Sequence, residues 1–357
     1  MRNSANEANP QGLTRRLVRS LIASLISLAA VGGVVALVLT LARSDTPHPT
    51  ASPIYKFYEP VDEAVGGGDV FVTNYEGNSV TEFNATTRKL VRVLKAKAYR
   101  FDRPIRIEIS GDDAVVVNTR GASVTEFNTI TGALVRVLNG KSYHFSSPGG
   151  GGVAFSGPDT FVTNFYTDSV TEFNTITGAL VRVLNGKSYG FYAPGNIAIS
   201  GGEAFVANPG GSSVIEFNTA TGALVRVIKS TTSKDFLSPQ IIAISGDDAF
   251  VSNGTGVTEF NTTTGSVVRV INGKYPDFES PQAIAFSGGE AFVTGTGVIE
   301  FNTNTGVVVR RIKAKSYEFS SPTDIVISGA HAFVTNTGAQ SVTEFNTFTG
   351  ALVHVLH

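Results

Sequence analysis

The chain has 357 residues, with 28 Lys+Arg against 29 Asp+Glu, so its formal net charge is −1. That balance excludes a strongly basic nucleic-acid binder, and no nucleic-acid partner is expected. The absence of cysteine excludes disulfides, thiolate metal sites and cysteine nucleophiles, while 42% hydrophobic residues suffice for a sizeable core.

The first 20 residues carry Arg2, Arg15, Arg16 and Arg19 and read as a basic cytoplasmic tail. Leu21 to Ala42 is a run of 22 residues without a charge. As a helix it reaches roughly 33 Å, enough for a bilayer core of about 30 Å. With the basic flank inside, everything after Ala42 is expected outside the cytoplasm, held to the membrane by this single transmembrane helix. The alternative is a cleaved signal that leaves a secreted protein, although signal cores are shorter. Residues 43–53 form a linker, and residues 54–357 form the folded domain.

That domain is a repeat. The triplet Glu-Phe-Asn begins at Glu82, Glu126, Glu172, Glu216, Glu259, Glu300 and Glu344, with spacings of 44, 46, 44, 43, 41 and 44 residues. Each unit contains four short β-type runs, A to D, for example Asn196 to Ser200, Ala204 to Asn208, Ser213 to Asn218 and Ala223 to Ile228. β-branched and aromatic residues, period-2 stretches and Gly/Asn turns favour strands over helices. Asn-Thr-x-Thr-Gly between C and D marks a tight turn. Seven such units predict an all-β, seven-bladed β-propeller of four-stranded antiparallel blades, after one N-terminal transmembrane helix. Every blade is complete in chain order, so face packing of blade 7 on blade 1 must close the ring.

Phe71-Val72-Thr73-Asn74, Phe161-Val162-Thr163-Asn164 and Phe333-Val334-Thr335-Asn336 resemble the strand signature of YVTN-type repeats, which are related to NHL repeats. The resemblance runs from about Tyr55 to the C-terminus. It implies a propeller exposed at a bacterial surface and leaves the function open.

Each strand-C Glu is followed ten residues later by an Arg in six blades: Glu82 and Arg92, Glu126 and Arg136, Glu172 and Arg182, Glu216 and Arg226, Glu259 and Arg269, Glu300 and Arg310. Blade 7 has His354 there. Folding the hairpin about Thr131 places Glu126 opposite Arg136 and Phe127 opposite Val135, so structural ion pairs are expected. The A–B turns carry Asp69, Asp113, Asp159, Glu203, Asp248 and Glu290, which would ring one channel mouth. The D–A connections carry Lys97, Lys141, Lys187, Lys274 and Lys315, with Lys234 nearby, and Tyr-x-Phe-x-x-Pro segments that blades 5 and 6 reduce to Phe and Pro. There a recurring Phe would plug adjacent blades; the alternative is a ring of exposed Tyr with Lys that binds a glycan or polyanion, and a cell-wall glycan, a polyanion or a protein is the expected kind of partner.

No catalytic motif appears. The five His are dispersed, no calcium loop or nucleophile elbow is present, and neither a cofactor nor a metal site is implied. One asymmetric cluster remains for ligand binding at the axial channel: Asp62, Arg106, Glu108 and Asp324, brought together where blades 7, 1 and 2 adjoin, with Glu63 close by and Asn196 facing the axis from blade 4. The functional expectation is a membrane-tethered extracytoplasmic propeller acting as a binding or scaffold module at the cell surface. The alternative is a lyase or lactonase dependent on a divalent cation, with its site at the axial channel.

Overall fold

The computed structural model describes residues 55–145, 151–229, 236–254, 256–272, 278 and 280–357. The apolar segment 21–42 lies outside them. Among the described residues no helix is long and apolar enough to cross a membrane.

Seven separate four-stranded antiparallel sheets follow one another along the chain, each a simple meander. Blade 1 is β1 (Pro60–Gly66), β2 (Asp69–Asn74), β3 (Ser79–Asn84) and β4 (Leu90–Leu94). Blade 2 runs from β5 (Pro104–Ser110) to β8 (Leu134–Asn139), and blade 3 from β9 (Val153–Ser156) to β12 (Leu180–Leu184). Blades 4, 5 and 6 begin with β13 (Ile197–Ser200), β17 (Ile242–Ser245) and β21 (Ala283–Ser287), and blade 7 runs from β25 (Pro322–Ser328) to β28 (Leu352–Leu356). The seven A strands touch in ring order, with β25 meeting β1, so the molecule is a closed seven-bladed β-propeller. Strands B and C are buried almost throughout, because each blade is sandwiched between two neighbours.

The C–D hairpin departs from the straight register. Glu126 does pair with Arg136, but Phe127 pairs with Leu134, and a bulge at Val135 separates the two pairs. The same shift occurs in all seven blades. The physical reason lies in the turn, where Gly132 N–H donates to Asn128 O and closes the loop one residue early. Without the extra residue Arg136 would fall on the opposite face from Glu126; the bulge restores it and sends Val135 to solvent.

The recurring strand-B Asn is a buried tie. Asn118 Nδ2 donates to Thr125 Oγ1 at 2.9 Å, and Thr125 Oγ1 donates to Tyr99 O at 2.7 Å. Asn164 with Thr171 and Asn336 with Thr343 repeat this at 2.9 Å. The Phe-Val-Thr-Asn pattern therefore anchors the preceding D–A connection.

Seven apolar clusters fill the seven junctions between blades, one of them joining blade 7 to blade 1. The Tyr of the D–A segments belongs to these junctions, which rules against the alternative of an exposed Tyr ring. Tyr143, Tyr189 and Tyr317 donate their hydroxyls to Gly178 O, Gly222 O and Gly350 O at 2.5–2.6 Å, and Tyr99 donates to Gly132 O. Each ring stacks on the Phe two residues later, as Tyr143 does on Phe145 at 5.3 Å.

A second clasp runs through the Arg residues. Arg92 donates to Ile130 O in blade 2 at 2.8 Å, Arg182 to Ala220 O at 2.9 Å and Arg310 to Phe348 O at 2.8 Å. Each guanidinium thus lies across the C–D turn of the next blade. A Cβ on Gly132 would meet Arg92 Nη1 at 2.5 Å, and Gly132 has φ +72°. Glycine is needed there for conformation and for space.

The closing junction uses a different solution. Blade 7 offers His354 instead of Arg, and blade 1 offers Arg88 (φ 60°) where the other turns have Gly. Arg88 reaches backwards and grips Glu344 with both ends of its guanidinium, Nε to Oε2 at 2.5 Å and Nη2 to Oε1 at 2.7 Å. Tyr55 then completes the junction as a D–A Tyr would. Its hydroxyl donates to Arg88 O, its carbonyl accepts from Thr81 Oγ1 at 3.0 Å, and its N–H donates to His357 O at 3.3 Å. Among the described residues no strand is exchanged across this junction.

Candidate functional site

The A strands surround a cavity of about 470 Å³, continued by a second chamber of about 320 Å³. Its wall follows from the repeat register, since the second residue after the D–A Pro-type position faces the axis. That residue is Asp62 in blade 1, Arg106 in blade 2, Asn196 in blade 4 and Asp324 in blade 7. Glu63 and Glu108 line both chambers.

The structure brings five of these together. Arg106 Nη1 lies 2.6 Å from Asp62 Oδ1, and Arg106 Nε donates to Gly151 O at 3.3 Å. Asp62 Oδ2 accepts from Ile107 N–H at 2.7 Å, and Asp324 Oδ2 accepts from Glu63 N–H at 3.0 Å. Each Asp therefore satisfies a backbone donor on the inner edge strand of the following blade, an edge that would otherwise be bare. Glu63 Oε1 accepts from Thr335 N–H at 3.2 Å, whereas Glu63 Oε2 is buried without a partner. Asn196 stands apart on blade 4, its backbone N–H donating to Gln240 O at 2.9 Å.

Electrostatics follow from burial. Asp62 and Glu63 are 5% and 3% exposed, and desolvation, followed by the nearby Asp324, pushes both carboxyls well above their ordinary range. Glu108 keeps an open surface toward the lumen, yet the channel walls and then Asp324 raise its carboxyl to about 7, with Arg106 opposing. Four carboxylates face one guanidinium here. Across the channel the wall is uncharged, with Ile199, Ile241 and Ala243 beside Asn196.

Other residues resolve differently. The A–B acids serve their own blades: Asp69 accepts from Asn84 Nδ2 at 2.8 Å, Glu203 from Asn218 at 3.0 Å and Glu290 from Asn302 at 3.1 Å. The strand-C Glu residues pair with Arg at 2.8 Å for Glu82–Arg92, 3.4 Å for Glu126–Arg136 and 2.8 Å for Glu172–Arg182. The distance is 3.0 Å for Glu259–Arg269 and 2.6 Å for Glu300–Arg310, and Glu216 pairs with Arg226. Gln282 also lines the cavity, although the repeat register singled out its neighbour Ala283. Its polar side chain one position before the inward residue was the available signal. Among the described residues no three His, Asp or Glu side chains form a group able to hold a metal ion.

The fold and this axial wall define the class as a seven-bladed β-propeller. No protein-family model and no curated protein matches the chain. Solved structures do resemble it. Hydrazine synthase from Kuenenia stuttgartiensis is similar with a TM-score of 0.68 at 17% identity, over 84% of this chain and 98% of that one. Virginiamycin B lyase from Staphylococcus aureus gives 0.66 at 14% identity, over 80% and 94%. BamB from Moraxella catarrhalis gives 0.52 at 16% identity, over 80% and 84%. At these identities the likeness is one of fold.

Proposed function

We propose that the chain is a surface-exposed bacterial propeller of the YVTN/NHL repeat type, tethered to the membrane by residues 21–42. It acts as a binding module whose ligand enters the axial channel. The observation that carries this reading is the asymmetry of the channel wall. Six blades are nearly alike along their outer strands, yet charge is concentrated on the inner strands of blades 7, 1 and 2 and faces an uncharged wall. A purely structural channel has no need of such an arrangement. The tether is compatible with the fold because Tyr55 and His357 meet, so the chain enters and leaves the ring at one place. A cell-wall glycan, a polyanion or a protein partner on the outer loops remains part of this reading, and no cofactor is invoked.

Protease treatment of intact cells tests the location. The propeller is expected to be cleaved or shed from intact cells and to sediment with membranes. Cleavage only after permeabilisation would contradict the tethered, outward arrangement. The rival lyase or lactonase is tested with Mg²⁺, Ca²⁺ and Mn²⁺ in thermal-shift assays. The binding-module reading expects no shift, and a shift lost in Asp62→Asn would favour the enzyme.

A further inference from the structure

Resting on the reading of the axial cavity as the ligand site, we infer that its ligand is an amphipathic organic cation: an ammonium or amidinium head on a compact apolar body. Three observations converge. First, acidic groups outnumber basic ones in the cavity. Asp62, Glu63, Glu108 and Asp324 face the lumen with Arg106, and Arg106 is already taken up at 2.6 Å by Asp62. Glu63, Glu108 and Asp324 are left without a paired cation among the described residues. Second, Glu63 is 3% exposed and lines both chambers; Thr335 holds its carboxyl at Oε1, and its Oε2 has no donor of its own. A buried carboxylate oxygen without a donor is costly, and a ligand N–H would satisfy it. Third, the wall facing them on blades 4 and 5 is uncharged and carries Ile199, Ile241 and Ala243, with Asn196 as its polar member. That surface would hold hydrocarbon and would not hold a hydrated metal ion. The volume of about 470 Å³ lies in the range of small-molecule sites. A cavity with carboxylates on one side and hydrocarbon on the other selects charge and apolar body together.

The sign of the pH dependence follows. The titratable groups facing the lumen are Asp62, Glu63, Glu108 and Asp324, and Arg106 stays charged. Burial raises Asp62 and Glu63 and lifts Glu108 to about 7, so protons compete with a cation in the neutral range. Affinity should rise as pH rises through about 7 and be lost on acidification.

The test uses the purified full-length protein and isothermal titration with benzamidine, with neutral benzamide as its near-isostere. Benzamidine is expected to bind at about pH 8 and to weaken by about tenfold or more at about pH 5, one unit of log affinity per carboxylate neutralised. Benzamide should not bind detectably. Glu108→Gln is chosen because Glu108 is open to the lumen. It should weaken benzamidine by about tenfold without lowering the unfolding midpoint, and Glu108→Lys should abolish binding. Equal binding of benzamide, binding insensitive to Glu108→Lys, or no benzamidine binding would overturn the inference. Capture of a neutral or anionic envelope fragment that Glu108→Lys strengthens would overturn the cation and keep the axial binding module. Capture unaffected by either Glu108 variant would remove the axial site from both.

Discussion

Arg88→Gly will lower the unfolding midpoint sharply, and adding His354→Arg will restore most of the loss. Glu344 is fully buried, and its two oxygens are held by the Arg88 guanidinium. Taking Arg88 away strands a buried carboxylate, at a cost of about 3–5 kcal/mol. His331 Nδ1 lies 2.7 Å from Glu344 Oε1 and places the effect near the lower end of that range. His354→Arg alone should also destabilise, because its guanidinium would enter the space that the Arg88 side chain fills. In the other junctions that space is open only because the turn residue is Gly, as the 2.5 Å approach of Arg92 Nη1 to a Cβ on Gly132 shows. Arg88→Gly with His354→Arg recreates that arrangement, a Gly turn under an Arg from the previous blade. Urea midpoints of the four proteins form a double-mutant cycle with strong favourable coupling. Additive losses would mean that the two positions do not share one site.

In the ordinary blades, Arg182→Ala will be more damaging than Glu172→Ala. The side chain of Glu172 is 1% exposed and that of Arg182 is 28% exposed. Removing the Arg leaves a sealed carboxylate without a partner, at about 3–5 kcal/mol. Removing the Glu leaves an Arg that still donates to Ala220 O and reaches water. The double variant should be more stable than Arg182→Ala alone, and equal midpoints for those two would argue against the ion pair. The same burial sets a pH dependence. Desolvation outweighs the guanidinium and lifts Glu82, Glu126, Glu172 and Glu300 to about 7, with Glu259 also raised. A carboxyl raised in the folded state binds more protons there than in the unfolded chain. Its contribution is therefore present below the ordinary glutamate range and is lost as pH rises through about 7. The protein should be more stable at about pH 5 than at about pH 8 in low-salt urea titrations; the opposite order would show that the ion pairs dominate.

What was legible in the sequence was what repeats. Glu-Phe-Asn at seven positions gave blade number, strand order and the ten-residue Glu–Arg offset, because a hydrophobic face every two residues has one way to stack. The bulge at Val135 was not legible, since a straight and a bulged hairpin both align Glu126 with Arg136 and differ in the turn's hydrogen bonds and in the partner of Phe127. Nor did the pattern show that Arg92 reaches Ile130 O in the next blade, because the neighbouring turn is 38 residues away in the chain. The departures at Arg88 and His354 were visible as letters, but their meaning required the geometry that sets one against the other. At the axial site, the A-strand register was enough to group Asp62, Arg106, Glu108 and Asp324. It could not show that Asp62 and Asp324 bind backbone N–H groups of the following blade, or that Glu63 Oε2 is left without a donor.

Everything here depends on the first and last blades meeting without a shared strand. Because the chain has no native cysteine, nitroxide labels at Lys56→Cys and His357→Cys report that junction cleanly. Pulsed electron paramagnetic resonance should give one short, narrow distance that does not change with protein concentration. A broad or long distance, or one that changes as protein is diluted, would mean that the chain forms an open array or pairs with its neighbours rather than closing on itself.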